Sequence, residues 1–247
     1  MLPAVPGGHI WTALEGSHTL RAEVDDINRI STESNETNNR ASRTITVGDY
    51  PGLLQLESRP APGRVNLSAE GTLDWAHFGS WKGNGITSRK KHAGLIGEIK
   101  QVGNGYIDVN PGCHVSLAWN DGEGVAEQTD THAGLWGNCV GNGFIFSVPA
   151  DREERILRVY VSGSNGAHGK LSASLSDGSA PDISCDAWRG NRAQQWAAVP
   201  DEFSAVYIIR YRAAAEKQSM TVKWEMIDEP NRFIGQIRIQ AATLSKP

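Results

Sequence analysis

The chain carries eight tryptophans in 247 residues, and these are the side chains whose type most directly suggests chemistry. A sugar ring presents a flat face of C–H groups that lies against an indole, while its hydroxyls need amide or carboxylate partners at the rim. An exposed tryptophan beside Asn, Asp or Arg is therefore what a saccharide site requires. Trp75, Trp119 and Trp224 fall in strand-like stretches, where a tryptophan ordinarily fills a core. Trp81, Trp136, Trp188 and Trp196 fall in Gly-, Asn- or Arg-rich stretches that read as loops. Trp81, Trp136 and Trp188 are the candidate stacking surfaces, with Asn120 and Asp121 as candidate rim groups. Asp74-Trp75-Ala76-His77 adds a further pair. Strand alternation puts Trp75 and His77 on one face, either a binding face with a stacking plane and an imidazole, or the core, where His77 is satisfied internally and Asp74 caps a turn.

Other polar clusters are less specific. Ser80 to His92 is long, cationic and glycine-rich and could serve an acidic polysaccharide, although such a run is ordinarily just solvated. The Asn120-Asp121-Gly122-Glu123 turn gathers carboxylates and an amide. Hairpin chemistry accounts for its Asp-Gly, and a structural calcium there would need several further oxygens. Glycoside hydrolysis needs two carboxylates at a defined separation. Asp74, Asp121, Glu225 and Asp228 are available, but nothing in the spacing pairs them. No Gly-x-Ser-x-Gly elbow, His-Glu-x-x-His helix or phosphate-cradling glycine loop is present. The chain is therefore expected not to be an enzyme and to hold no cofactor. Cys113, Cys139 and Cys185 lack metal-ligand spacing; Cys113 and Cys139 could pair in an exported protein, and otherwise all three pack as small apolar side chains.

Short strands separated by Gly, Asn and Asp clusters must position these residues. They are expected at Val65 to Ala69, Thr72 to Phe78, Ala93 to Val102, Cys113 to Trp119, Gly143 to Val148, Ile156 to Val161, Lys170 to Leu175, Val206 to Tyr211, Met220 to Met226 and Gly235 to Leu244. Clean alternation runs through Leu171, Ala173 and Leu175 and through Val222, Trp224 and Met226. Helical periodicity is nearly absent; Asn191 to Ala198 is the best helical candidate. This spacing predicts an all-β protein whose main part, residues 64–247, is an antiparallel jelly-roll β-sandwich. The turn-rich residues 49–63 read as a linker, and residues 1–48 as a separate segment.

The formal net charge is -4 with no basic stripe, which argues against nucleic acid as a partner. No apolar run approaches the roughly 20 residues of a membrane span, so none is expected. Met1-Leu2-Pro3-Ala4-Val5-Pro6-Gly7-Gly8 lacks the basic-then-apolar pattern of a signal peptide, which fits either a cytoplasmic protein or a piece of a longer secreted one.

Ser17 to Val24 alternates as a half-buried strand, Asp25-Asp26-Ile27-Asn28 supplies turn-forming side chains, and Ala41 to Val47 reads as the next strand. With the intervening Glu33-Ser34-Asn35-Glu36-Thr37-Asn38-Asn39, this segment resembles the end of a CARDB domain, a cell-adhesion-related, immunoglobulin-like β-sandwich of bacterial extracellular and envelope proteins. The resemblance implies a partial Ig-like domain over residues 1–48, an extracellular or cell-envelope location and other domains on a longer chain. Asn142 to Asp151 with Arg155 to Val161, Gly71 to Gly79, Trp119 to Gly122, Gly169 to Ala180 and Gln240 to Leu244 are similar to jelly-roll accessory modules of secreted bacterial polysaccharide-degrading enzymes. That likeness implies non-catalytic binding of a polysaccharide or other glycan. The alternatives are a structural or adhesive envelope module with a protein partner, and a small β-sandwich hydrolase or lyase using Asp74 and His77.

Overall fold

The computed structural model describes residues 16–23, 40–47, 52–81, 85–187, 202–229 and 234–247. The chain divides into two compact units, Met1–Asp49 and Tyr50–Pro247. In the first, β1 (Gly16–Glu23) and β2 (Arg40–Val47) pair antiparallel with Gly16 opposite Val47, where the alternation places them. Val24 to Asn39 lies outside the described residues.

In the second unit the elements are, in order, β3 (Leu53–Pro60), β4 (Arg64–Asn66), α1 (Leu67–Glu70), β5 (Asp74–His77), β6 (Ser88–Lys90), β7 (Lys100–Val102), β8 (Ile107–Asn110), β9 (Ser116–Trp119), β10 (Gly122–Glu123), β11 (Gln128–Thr131) and β12 (Gly134–Gly137). There follow β13 (Gly143–Ala150), β14 (Arg155–Ser164), β15 (His168–Leu175), β16 (Ile183–Ala187), β17 (Phe203–Arg212), β18 (Gln218–Asp228) and β19 (Gln236–Ser245). A nine-stranded sheet runs β10-β6-β5-β19-β14-β17-β3, with β12 and β8 attached at β19, and a five-stranded sheet runs β16-β15-β18-β13-β7. From β13 to β19 the chain passes repeatedly between these two sheets, as in a jelly-roll sandwich.

Period-2 alternation explains the core. Leu157, Val159 and Val161 of β14, Tyr207, Ile209 and Tyr211 of β17, and Ile237 and Ile239 of β19 project toward Val222, Trp224 and Met226 of β18 and Phe144 and Phe146 of β13. Each such fully buried side chain contributes roughly 1.5–3 kcal/mol. The alternate residues of β14 and β19 face the other way. There Trp75, Tyr160, Val206 and Ala241 pack under Val65, Leu67, Val115, Leu117 and Trp119. These come from a small layer, β11-β9-β4 with α1, in which β4 and β9 are parallel rather than antiparallel.

Several expectations are corrected. Leu53–Pro60, expected within the linker, is β3 and pairs with β17 from Leu53–Arg212 to Pro60–Ala205. Pro60 is tolerated because it ends an edge strand, where no ladder N–H is required. Val65 to Ala69 is not one strand, because the Asn66 side chain accepts from the Ala69 N–H at 3.1 Å and starts α1. In Ala93 to Val102 only Lys100–Val102 is a strand; the Ile96 N–H is taken by Asp74 Oδ2 at 2.8 Å instead of by a neighbouring strand. Trp136, expected in a loop, lies in β12. The Asn191 to Ala198 helix lies outside the described residues.

β19 divides one of its edges between two strands. Residues 237–239 pair with Gly137–Leu135 of β12, and residues 241–244 pair with His77–Asp74 of β5. Gln240 sits between them at a bulge opposite Tyr160 and Val161. Its amide donates to the Val115 carbonyl (3.0 Å) and accepts from the Val115 N–H (3.2 Å), acting as a one-residue strand partner.

Candidate functional site

β5 carries Trp75 and His77 into the interior. Trp75 is 0% and His77 3% exposed, so neither can meet a saccharide, and their place among the candidate binding residues is corrected. The Trp119 ring lies 5.2 Å from each of them, which makes the three rings one internal stack. His77 Nε2 lies 3.0 Å from the Ala133 carbonyl oxygen, an acceptor, so Nε2 holds the proton. Nδ1 is buried without a partner. Burial of the ring favours its neutral form and lowers its pKa. Asp74 is buried too, accepting from the Trp75 and Ile96 N–H groups at 2.8 Å, and desolvation raises its pKa. Asp74 and His77 thus offer no exposed acid or base for hydrolysis.

Asp121 is committed to the structure. Its Oδ1 accepts from Trp75 Nε1 (2.8 Å) and from the Ser68 hydroxyl, and its Oδ2 lies 2.5 Å from Lys90 Nζ. Partial burial pushes its pKa up, but the hydrogen bonds and the Lys90 charge outweigh this and hold it below the usual carboxylate value. Three donors, one of them a cation, surround this carboxylate; calcium requires a shell of oxygens, so the site does not suit it. Asn120 is exposed beside it, its N–H bonded to Ser68 Oγ at 3.0 Å. Trp81 is half-buried against the main core and meets Phe144 edge-on at 6.3 Å. Trp188 and Trp196 lie outside the described residues.

Trp136 is different. It is partly exposed on β12, and its neighbours Leu135 and Gly137 are buried, so the strand itself presents the ring. Tyr106, 57% exposed, stands beside it with ring centroids 5.5 Å apart and planes inclined by 52°. Asp108 is the cross-strand partner of Trp136 and accepts from the Tyr106 hydroxyl at 2.8 Å. The Val109 N–H and this hydroxyl lower the Asp108 pKa, so it is a carboxylate at neutral pH. On the other side the cross-strand partner of Trp136 is Arg238, whose Nη2 donates to Ser164 Oγ (2.9 Å) and Gln236 Oε1 (3.1 Å).

The platform is held from below. Buried Asn142 donates through Nδ2 to the carbonyl oxygens of Tyr106 (3.2 Å) and Asn138 (2.8 Å), and its Oδ1 accepts from Gln101 Nε2 at 2.8 Å. Asn138 Oδ1 accepts from the Tyr106 N–H at 3.0 Å. Gly105 is required by this closeness, since a Cβ there would stand 2.2 Å from the Asn138 carbonyl oxygen. Tyr106, Asp108 and Asn138 were not among the residues singled out from sequence. The signal was Tyr106-Ile107-Asp108-Val109 after a Gly-Asn-Gly turn, an alternation that puts an aromatic and an acid on one strand face.

No family model matches the chain, and no curated protein matches it. Among solved structures the chain is similar to the enzymatically active domain of bacteriophage CBA120 tailspike protein 4, at 12% identity and TM-score 0.34, covering 61% of this chain and 19% of that one. It thus spans about a fifth of the tailspike domain's length. It is also similar to TmCBM61, solved in complex with β-1,4-galactotriose, at 12% identity and TM-score 0.31, covering 60% of this chain and 88% of that one. A candidate sugar-binding protein from Bacteroides thetaiotaomicron matches at 10% identity and TM-score 0.27, covering 76% of this chain and 95% of that one.

Proposed function

We propose that this chain is a non-catalytic carbohydrate-binding module and that the ligand stacks on Tyr106 and Trp136. The observation that carries this reading is the pairing of exposed Tyr106 with partly exposed Trp136, fixed on a strand and on a buried amide, with the Asp108 carboxylate at its edge. Two aromatic planes inclined by 52° cannot both lie flat on one ring, so they suit successive residues of a twisted saccharide chain. Asp108 accepts from sugar hydroxyls, and Asn138 adds an amide nearby. Preorganisation keeps the cost of binding low, because the rings are already held when the ligand arrives.

The wider setting belongs to the same proposal. The module works outside the cell or in the envelope, on a longer chain, and Met1–Asp49 is a CARDB-like spacer. Affinity electrophoresis over a panel of soluble polysaccharides, with pull-down on insoluble ones, tests the reading. Retention on at least one neutral glycan, weakened at least about tenfold by Tyr106→Ala or Trp136→Ala, is expected from the loss of a stacking contact worth 0.5–1.5 kcal/mol plus its buried area. Retention on none of them would overturn it.

A further inference from the structure

A second site lies elsewhere on the same sheet. Thr87, Arg89, His92 and Glu123 line a cleft of about 530 Å³, and neither Tyr106 nor Trp136 belongs to it. That volume is in the range that takes a small ligand.

The cleft holds unspent polar groups. Arg89 makes no hydrogen bond or close ion pair with any described residue, although Glu123 is its cross-strand neighbour and its charge acts on the buried Asp74 carboxylate. By contrast the adjacent Lys90 is neutralised by Asp121 at 2.5 Å. The Thr87 hydroxyl oxygen is shielded from solvent and has no partner. His92 adopts φ 64°, a left-handed conformation that costs a residue other than glycine on the order of 1 kcal/mol and is retained where something else is gained. Gly124, with φ 94°, shapes the opposite wall. A guanidinium and an imidazole therefore border one opening, with Glu123 as the single acid among the residues lining it.

We infer that this cleft binds a uronate residue of an acidic saccharide, with Arg89 as the partner of its carboxylate. A guanidinium presents parallel N–H donors that match a planar carboxylate in a two-pronged contact. His92 reaches a ring hydroxyl. Glu123 accepts a sugar hydroxyl and disfavours the denser charge of a sulfate or phosphate. The stacking platform plays no part in this recognition, so the two sites can fail independently.

Calorimetric titration of the whole chain with trigalacturonate, its methyl ester and a sulfated disaccharide tests the assignment. Trigalacturonate is expected to bind, the methyl ester and the sulfated sugar at least about tenfold more weakly, through loss of the charge-assisted pair. Arg89→Gln should lose the same factor while its circular dichroism spectrum stays that of the folded parent, and Tyr106→Ala should leave trigalacturonate binding intact. His92→Gly accepts the left-handed backbone without strain, so it should fold at least as stably and bind trigalacturonate more weakly. No trigalacturonate binding, equal binding by Arg89→Gln or by the ester, or tighter binding of the sulfated sugar would overturn the inference. Loss of trigalacturonate binding in Tyr106→Ala would also overturn it, by moving the ligand to the platform.

Discussion

The side-chain amide of Asn142 donates to the Tyr106 carbonyl oxygen at 3.2 Å, so a fully buried residue fixes the backbone beneath an exposed aromatic ring. Asn142 touches no ligand surface. Asn142→Ala should nevertheless weaken glycan retention, because the turn carrying Tyr106 loses its anchor. Two carbonyl oxygens and the Gln101 amide would lose a partner, and urea denaturation should show a loss of about 1–3 kcal/mol. Unchanged retention in a folded variant would separate the ring from its support.

Glu70 ties α1 to the large sheet. Its oxygens accept from the Tyr160 hydroxyl at 2.6 Å and from Thr243 Oγ1 at 2.8 Å. Tyr160→Phe keeps the ring in place and deletes one donor to a carboxylate, so it should cost about 1.5–3 kcal/mol in denaturant titration.

His77 and Asp121 each contribute to the response to acid. His77 titrates below its ordinary value in the folded chain, so on acidification the unfolded chain takes up the proton first. Stability should therefore fall as pH drops below about 6.5, the unperturbed histidine value. Asp121 is also lowered, and its contribution is lost only below about pH 4. Thermal midpoints across pH should show a shallower decline for His77→Gln in the upper window and for Asp121→Asn in the lower one. Curves parallel to the parent would remove each residue from the account.

Cysteine reactivity should divide sharply. Burial pushes the Cys113 thiol up to about 12, while Cys139 is only partly buried. The thiolate is the reactive form. Iodoacetamide at pH 8 should therefore modify Cys139 in the native chain and Cys113 only after unfolding, read by peptide mass spectrometry. No disulfide joins the three cysteines in the structure.

Much of the sandwich was legible because β15 and β18, paired with each other, bury alternate residues along their length, and period-2 patterning reports that directly. β3 was hidden by flanking prolines and glycines that read as a linker, yet an edge strand can end in Pro60 at no cost. β12 was hidden for the opposite reason. Gly134 and Gly137 look like loop punctuation but answer to crowding: a Cβ at Gly134 would stand 2.8 Å from Cys113 Sγ, and one at Gly137 2.9 Å from Asn142 Nδ2. Trp136 thereby became a strand residue presented on a sheet face. Alternation alone left Trp75 on either a binding face or the core, and it is the layer of β4, α1 and β9 over β5 that makes it core. Such long-range cover has no local signature.

The division of one β19 edge between β5 and β12 has a kinetic consequence. Asp74 meets Leu244, and Gly137 meets Ile237, so both strands wait for a partner synthesised at least a hundred residues later. Pairings of such sequence separation fold slowly and leave unpaired edges exposed meanwhile. During synthesis, neither Trp75 nor Trp136 can reach its final place on the large sheet until β19 has emerged. A nascent chain halted before Gln236 would expose the β14 edge along its length and should bind chaperones or self-associate.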